Sequence, residues 1–194
     1  MWNSGKPPSC RDKVRDSLKI AISGKSGCGN TTVSRLVAET MGLRFINFTF
    51  RNLAEERGIT LREVLEKASR DDCWDREVDS RQTALAREEG GCVLGSRLAI
   101  WMLPEADLKV YLKAQAETRA ERIMKREGGS LGEITAFTAE RDRQDRERYL
   151  RIYRIDNDDY SFADMIIDTD NLDPGQIALL IINSAHNKGG LNVK

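Results

Sequence analysis

Leu18-Lys19-Ile20-Ala21-Ile22-Ser23-Gly24-Lys25-Ser26-Gly27-Cys28-Gly29-Asn30-Thr31-Thr32-Val33 is the stretch that decides the fold. Leu18 to Ser23 is an apolar run of strand length, Gly24 to Thr32 is small, polar and glycine-rich, and Val33, Leu36, Val37 and Met41 then recur at helical spacing up to Gly42. The order is strand, loop, helix. The loop satisfies GxxxxGK[ST] at each defined position except the lysine, where Asn30 stands. Glycines let backbone N–H groups turn inward on a phosphate, and the helix N-terminus adds about half a positive charge. A threonine hydroxyl there can join a magnesium ion that bridges phosphates. Gly24, Lys25, Gly27, Cys28, Gly29, Asn30, Thr31 and Thr32 are therefore the candidate nucleotide-binding segment, with Thr31 as the metal ligand. Asn30 replaces a full positive charge by a neutral amide, so another group must supply it. Lys25, on the same loop, is the first candidate, and an ordinary exposed loop lysine is the competing reading.

Outward from this unit the pattern repeats. Arg44 to Phe48 reads as a second strand, and three helical segments follow through Arg87, with Thr60 capping the second. CVLGS, LKVYLK and ADMIID are further short apolar runs separated by helical sequence, which predicts a parallel α/β sheet. Arg51 follows the second strand, and Arg97 in Gly95-Ser96-Arg97 follows another, so both are expected at the carboxyl edge where ligands bind. Nine of the 21 arginines fall between Arg119 and Arg154, on two helical stretches flanking Gly128-Gly129. Such stripes suit either a lid that closes on phosphates or a solvated face laced with ion pairs.

Composition narrows the partners. The 194 residues are about one domain's worth, and 31 Lys+Arg against 31 Asp+Glu leave no net charge for bulk nucleic acid or an anionic membrane surface. Arg outnumbers Lys 21 to 10, the bias that bidentate phosphate recognition uses. Cys10, Cys28, Cys73 and Cys92 show no CxxC spacing, and His186 is the single histidine, so no zinc site is expected. No run approaches about 18 apolar residues, and the start of the chain lacks a signal-peptide core. A cytoplasmic protein with reduced thiols is expected.

From Leu18 to about Ile182 the chain resembles the cytidylate kinases, a family of P-loop nucleoside-monophosphate kinases. The likeness rests on the loop and on Gly95-Ser96-Arg97 followed by Leu103-Pro104-Glu105-Ala106-Asp107-Leu108-Lys109-Val110. Glu140-Arg141-Asp142-Arg143-Gln144-Asp145-Arg146-Glu147-Arg148 is similar to the ERDxxDRxR signature, and Ile166-Ile167-Asp168-Thr169 to the closing strand. The short segment 51–89 and the run Asp75-Arg76-Glu77-Val78-Asp79 look like the compact, archaeal-type members. In that branch threonine often replaces the loop lysine. Gly95 departs from it, since glutamate often stands there.

The resemblance implies a three-layer P-loop α/β sandwich with a five-stranded parallel sheet over residues 18–186, an acceptor-binding helical segment at 51–89 and a lid at 119–154. Residues 1–17 and 187–194 are expected to be a flexible leader and tail. It further implies ATP and Mg2+ at the loop and CMP or dCMP held by Arg51, Asp75, Asp79, Arg97, Arg141, Asp145 and Arg148. Lys25, Arg97, Arg122 and Arg141 are the residues expected to carry catalysis, in a chain acting as a monomer. Two rivals share the loop: another small-molecule kinase of the shikimate type, and a nucleotide-binding regulatory protein with a degenerate loop.

Overall fold

The structure, a computed structural model, describes residues 17–188. The expected leader and tail lie outside it apart from Ser17, Asn187 and Lys188, of which the last two continue the final helix. Five parallel strands form one sheet: β1 (Lys19–Gly24), β2 (Arg44–Ile46), β3 (Cys92–Gly95), β4 (Leu108–Lys113) and β5 (Met165–Asp168), in spatial order β2-β3-β1-β4-β5. Ile20 of the central strand sits in register with Val93 on one side and Leu108 on the other.

Alternation along β1 builds two cores. Ile20 and Ile22 pack with Val33 and Val37 of α1 (Asn30–Met41) and Ile177 and Ile181 of α8 (Pro174–Lys188). Ala21 faces the opposite layer, with Ala86 of α4 (Cys73–Arg87) and Ile100 of the short α5 (Ala99–Met102). A sheet covered on both faces needs apolar residues on both, and the strands carry them. The result is the three-layer parallel sandwich expected from the sequence.

The second strand is shorter than expected. It ends at Ile46, where its three-residue pairing with β3 stops. Thr49 then caps α2 (Phe50–Arg57) by donating its N–H to Asn52 Oδ1 at 2.9 Å. Arg51 therefore lies in the first turn of a helix instead of at a strand end. Thr60 caps α3 (Leu61–Ala68) through a reciprocal box with Glu63: Glu63 N donates to Thr60 Oγ1 at 3.2 Å and Thr60 N to Glu63 Oε2 at 2.7 Å. Helices α6 (Ala116–Glu127) and α7 (Leu131–Tyr153) are joined through Gly128 and Gly129, both at positive φ.

Helix α1 lies unusually close to β3. A Cβ added to Gly95 would fall 2.6 Å from Ser34 Oγ and 2.7 Å from Ser34 Cβ, so no larger residue fits while α1 keeps its seat. Gly95→Ala is expected to cost about 1–3 kcal/mol by overpacking, at roughly 2–4 °C of Tm per kcal/mol for a chain of this size. Thermal unfolding reads it directly, and an unchanged Tm would mean that α1 and β3 separate freely.

Candidate active site

At the carboxyl edge of the sheet the loop after β1, the residues after β3, one face of α4 and the facing sides of α6 and α7 enclose a cleft of 1040 Å³. The glycine-rich loop is shaped from below. Gly27 has φ 86°, and a Cβ there would meet the Arg119 backbone at 2.8–2.9 Å, so the position requires glycine twice over. Arg119 donates to Ser26 O at 3.1 Å and pairs with Asp142 at 2.7 Å. Arg122 donates to Thr169 Oγ1 at 2.9 Å, to Thr169 O, and to Gly27 O at 3.4 Å. Two guanidinium groups thus grip the loop by its carbonyls. The first N–H groups of α1 have no intrahelical acceptor and remain for an anion.

Asn30 does not reach outward. Its Nδ2 donates to Ser96 O at 3.0 Å and its Oδ1 accepts from Ser34 Oγ at 2.9 Å, so the side chain ties α1 to the end of β3. Lys25 lines the cleft, with Nζ 2.6 Å from Asp158. Thr31 is exposed at the cleft, where Asn47 Nδ2 approaches its hydroxyl at 3.4 Å. Among the described residues no group of three or more His, Cys, Asp or Glu could hold a metal ion. A magnesium ion here would therefore draw on the Thr31 hydroxyl and on a nucleotide's own phosphates, a donor set that fits a hard cation.

From the loop a chain of charges crosses the cleft. Arg97 donates to Ser26 Oγ at 3.2 Å and pairs with the Asp145 carboxylate. Asp145, 5% exposed, also accepts from Arg148 at 2.8 Å, and Arg148 stands 3.2 Å from Asp75. Burial opposes the charge on Arg97, but the Asp145 carboxylate and the Tyr149 hydroxyl together outweigh it and the pKa is raised. Arg141 differs: it lines the cleft with no ion pair among the described residues, and burial together with the Arg97 charge lowers its pKa. Arg51 is exposed and does not line the cleft.

Six of the nine arginines between 119 and 154 have carboxylate partners: Arg119, Arg126, Arg143, Arg146, Arg148 and Arg151. The stripe is thus largely neutralised within the chain.

On the far wall, Asp75, Val78, Asp79 and Gln82 of α4 recur at i, i+3, i+4 and i+7 and all line the cleft. Asp79 accepts from Tyr153 Oη at 2.7 Å and from Gln82 Nε2 at 3.3 Å. Sequence reading picked out the two aspartates and missed Gln82 and Tyr153; helical spacing from Asp75 would have found the glutamine. Burial raises Asp79 to a pKa of about 6, the Tyr153 hydrogen bond opposing and the Asp75 charge adding to the rise. Between about pH 4, where an unfolded aspartate titrates, and about pH 6, the folded state binds more protons, so Asp79 makes stability fall as pH rises. Asp79→Asn is expected to melt above the wild type at about pH 8, with the gap shrinking toward about pH 4. Thermal unfolding across that range checks this, and a gap independent of pH would show that Asp79 does not titrate there.

A sequence profile described as the cytidylate kinase-like family matches residues 19–171. "Cytidylate kinase 2" of Borreliella afzelii is 52% identical over 168 residues, 84% of this chain and 94% of that protein. "Cytidylate kinase" of Pyrococcus horikoshii is 43% identical over 169 residues, 86% and 88% of the two chains. Among solved structures, shikimate kinase from Bacteroides thetaiotaomicron superposes with a TM-score of 0.58 over 88% of this chain and 96% of that one. At 18% identity it speaks for the P-loop kinase fold alone. Profile match, relatives and the arrangement of the cleft agree, and the chain belongs to the cytidylate kinase-like family.

Proposed function

We propose that the protein transfers the γ-phosphoryl group of ATP to CMP or dCMP. The observation that carries this reading is the position of Arg97, whose guanidinium touches Ser26 of the phosphate loop on one side and Asp145 of the acceptor wall on the other. One cation spans the two places where a donor and an acceptor phosphate have to meet.

In the transfer, an oxygen of the acceptor phosphate forms a bond to the γ-phosphorus while the bond to the β,γ-bridging oxygen breaks, and ADP leaves. The acceptor is already anionic, so no protein nucleophile or strong base is needed, and positioning with charge neutralisation carries the rate. The Thr31 hydroxyl, together with the nucleotide's own phosphates, would hold a magnesium ion, which would supply charge neutralisation for the transferring group. The segment Gly24 to Thr32 cradles the donor phosphates, and Lys25 leaves Asp158 to replace the cation absent at Asn30. Arg141, with no carboxylate of its own, and Arg97 receive the acceptor phosphate, while Arg122 stays at the loop beside them. Asp75, Asp79, Asp145 and Arg148 form the nucleoside end of the cleft. On this reading 51–89 is the acceptor-binding segment and 119–154 the lid, with Gly128-Gly129 as hinge. The cleft is lined within a single chain, which suits a monomer working in the cytoplasm, where both nucleotides are found.

A coupled assay for ADP release with ATP, magnesium and each of CMP, dCMP, UMP and AMP tests the reading. CMP or dCMP should be the best acceptor. Arg141→Ala should raise KM for the acceptor roughly tenfold or more, the scale of a lost charge-assisted hydrogen bond, and Lys25→Ala should lower turnover more than about tenfold. Nucleotide binding without ADP release would instead favour a regulatory nucleotide-binding protein.

A further inference from the structure

The wall formed by α4 carries more hydrogen-bonding capacity than the protein uses. Gln82 is 5% exposed and Asp75 4%, and both line the cleft. Among the described residues, Gln82 Oε1 and Asp75 Oδ2 are nonetheless without hydrogen-bond partners. Buried acceptors are ordinarily satisfied, and leaving one bare costs on the order of 1–3 kcal/mol. Two of them on one face of one helix, at a ligand cleft, are matched by donors that arrive with a ligand.

The polarity of the glutamine is fixed by its neighbour. Asp79, when ionised, can only accept, and its two oxygens are met by the Tyr153 hydroxyl at 2.7 Å and by Gln82 Nε2 at 3.3 Å. Turning the amide over would set Gln82 Oε1 against a carboxylate oxygen. The Gln82 carbonyl is therefore the amide's unused acceptor, on a residue that lines the cleft.

An acceptor at this place distinguishes two pyrimidines that are otherwise nearly the same shape. Cytosine carries an exocyclic amine at C4, a donor; uracil carries a carbonyl there, an acceptor. We infer that Gln82 is a specificity-determining residue, whose side-chain carbonyl, oriented by Asp79, accepts from the 4-amino group of the acceptor nucleobase and rejects a 4-keto base. Asp75 Oδ2, about two helical turns away on the same wall, is a second unused acceptor for the ligand. The inference rests on the proposed phosphorylation of CMP and adds how the base is chosen. A site built to pair a polar group discriminates strongly against an analogue that leaves it unpaired.

The test compares CMP, UMP and the monophosphate of the ribosyl pyrimidinone that lacks any 4-substituent, at about pH 8, with wild type, Gln82→Met and Asp79→Asn. Wild type should favour CMP over both analogues by at least about tenfold in kcat/KM. Gln82→Met, of equal length and without polar atoms, should reduce the CMP-to-UMP ratio at least about tenfold through KM for CMP. It should change KM for the unsubstituted analogue less than twofold, a contrast that a purely structural role would not produce. Asp79→Asn, which no longer dictates the direction of the amide, should lower the same ratio. An unchanged ratio in Gln82→Met, or an equal loss for CMP and the unsubstituted analogue, would overturn the inference. If Gln82→Met does not fold, equilibrium binding to wild type decides: equal affinity for CMP and the unsubstituted analogue overturns it. Wild type that releases no ADP with any monophosphate would defeat the proposed activity instead, and the binding comparison would still judge Gln82.

Discussion

Everything around the cleft depends on one buried carboxylate shared by two arginines. Asp145 belongs to α7, Arg97 to the loop after β3, and Arg148 passes the contact on to Asp75 of α4. Through Ser26 the same Arg97 reaches the phosphate loop. Four separate pieces of chain are thus set by a line of alternating charges. A buried ion pair of this kind contributes little net stability, because desolvation offsets attraction, but removing one partner strands the other at a cost of about 3–5 kcal/mol. Its value lies in position: through Arg148 and Asp75 it sets α7 against α4.

The same balancing explains how a short segment tolerates nine arginines without an anion present. Arg143 is held by Glu140 and Glu147 on its own helix, Arg146 by Asp156, and Arg151 by Asp72 across the cleft wall. These exposed pairs are each worth little, about 0–1 kcal/mol. Their effect is to cancel repulsion, leaving Arg141 as a cation in the cleft that no carboxylate among the described residues has claimed. A phosphate entering there meets a guanidinium already partly desolvated and pressed by Arg97, so it gains an ion pair without breaking one.

How much of this was legible depended on whether the signal was local. The strand, loop and helix of residues 18–42 follow from glycine spacing and apolar periodicity, and Thr60 and Glu63 announce a helix start three residues apart. The carboxyl-edge placement of Arg97 follows from its position after a strand. Arg51 looked equivalent and is not, because Thr49 and Asn52 begin a helix at the rim of the cleft, where Phe48, Thr49 and Phe50 line it and Arg51 does not. That competition between strand and cap is decided by the tertiary pairing of Ile46 with Leu94, which no local pattern contains. Gln82 was hidden for a different reason: an amide has no charge to mark it, and its meaning comes from Asp79 and Tyr153, the latter 71 positions beyond it in the chain.

The departure at Asn30 has a partner in the departure at Gly95. Asn30 bonds Ser96 O and Ser34 Oγ, and Ser34 in turn occupies the space that any side chain at 95 would need. The three residues form one interlock between α1 and β3. A lysine at 30 would bring the missing charge but leave Ser96 O and Ser34 Oγ without their amide, and an acidic residue at 95 would displace α1 itself. Neither change is available alone without loosening the helix whose N-terminus lines the cleft. The loop therefore has a rigid anchor where the motif has an extended cation, and the cations that line the cleft stand elsewhere: Lys25 along the loop, and Arg97, Arg122 and Arg141 from other segments of the chain.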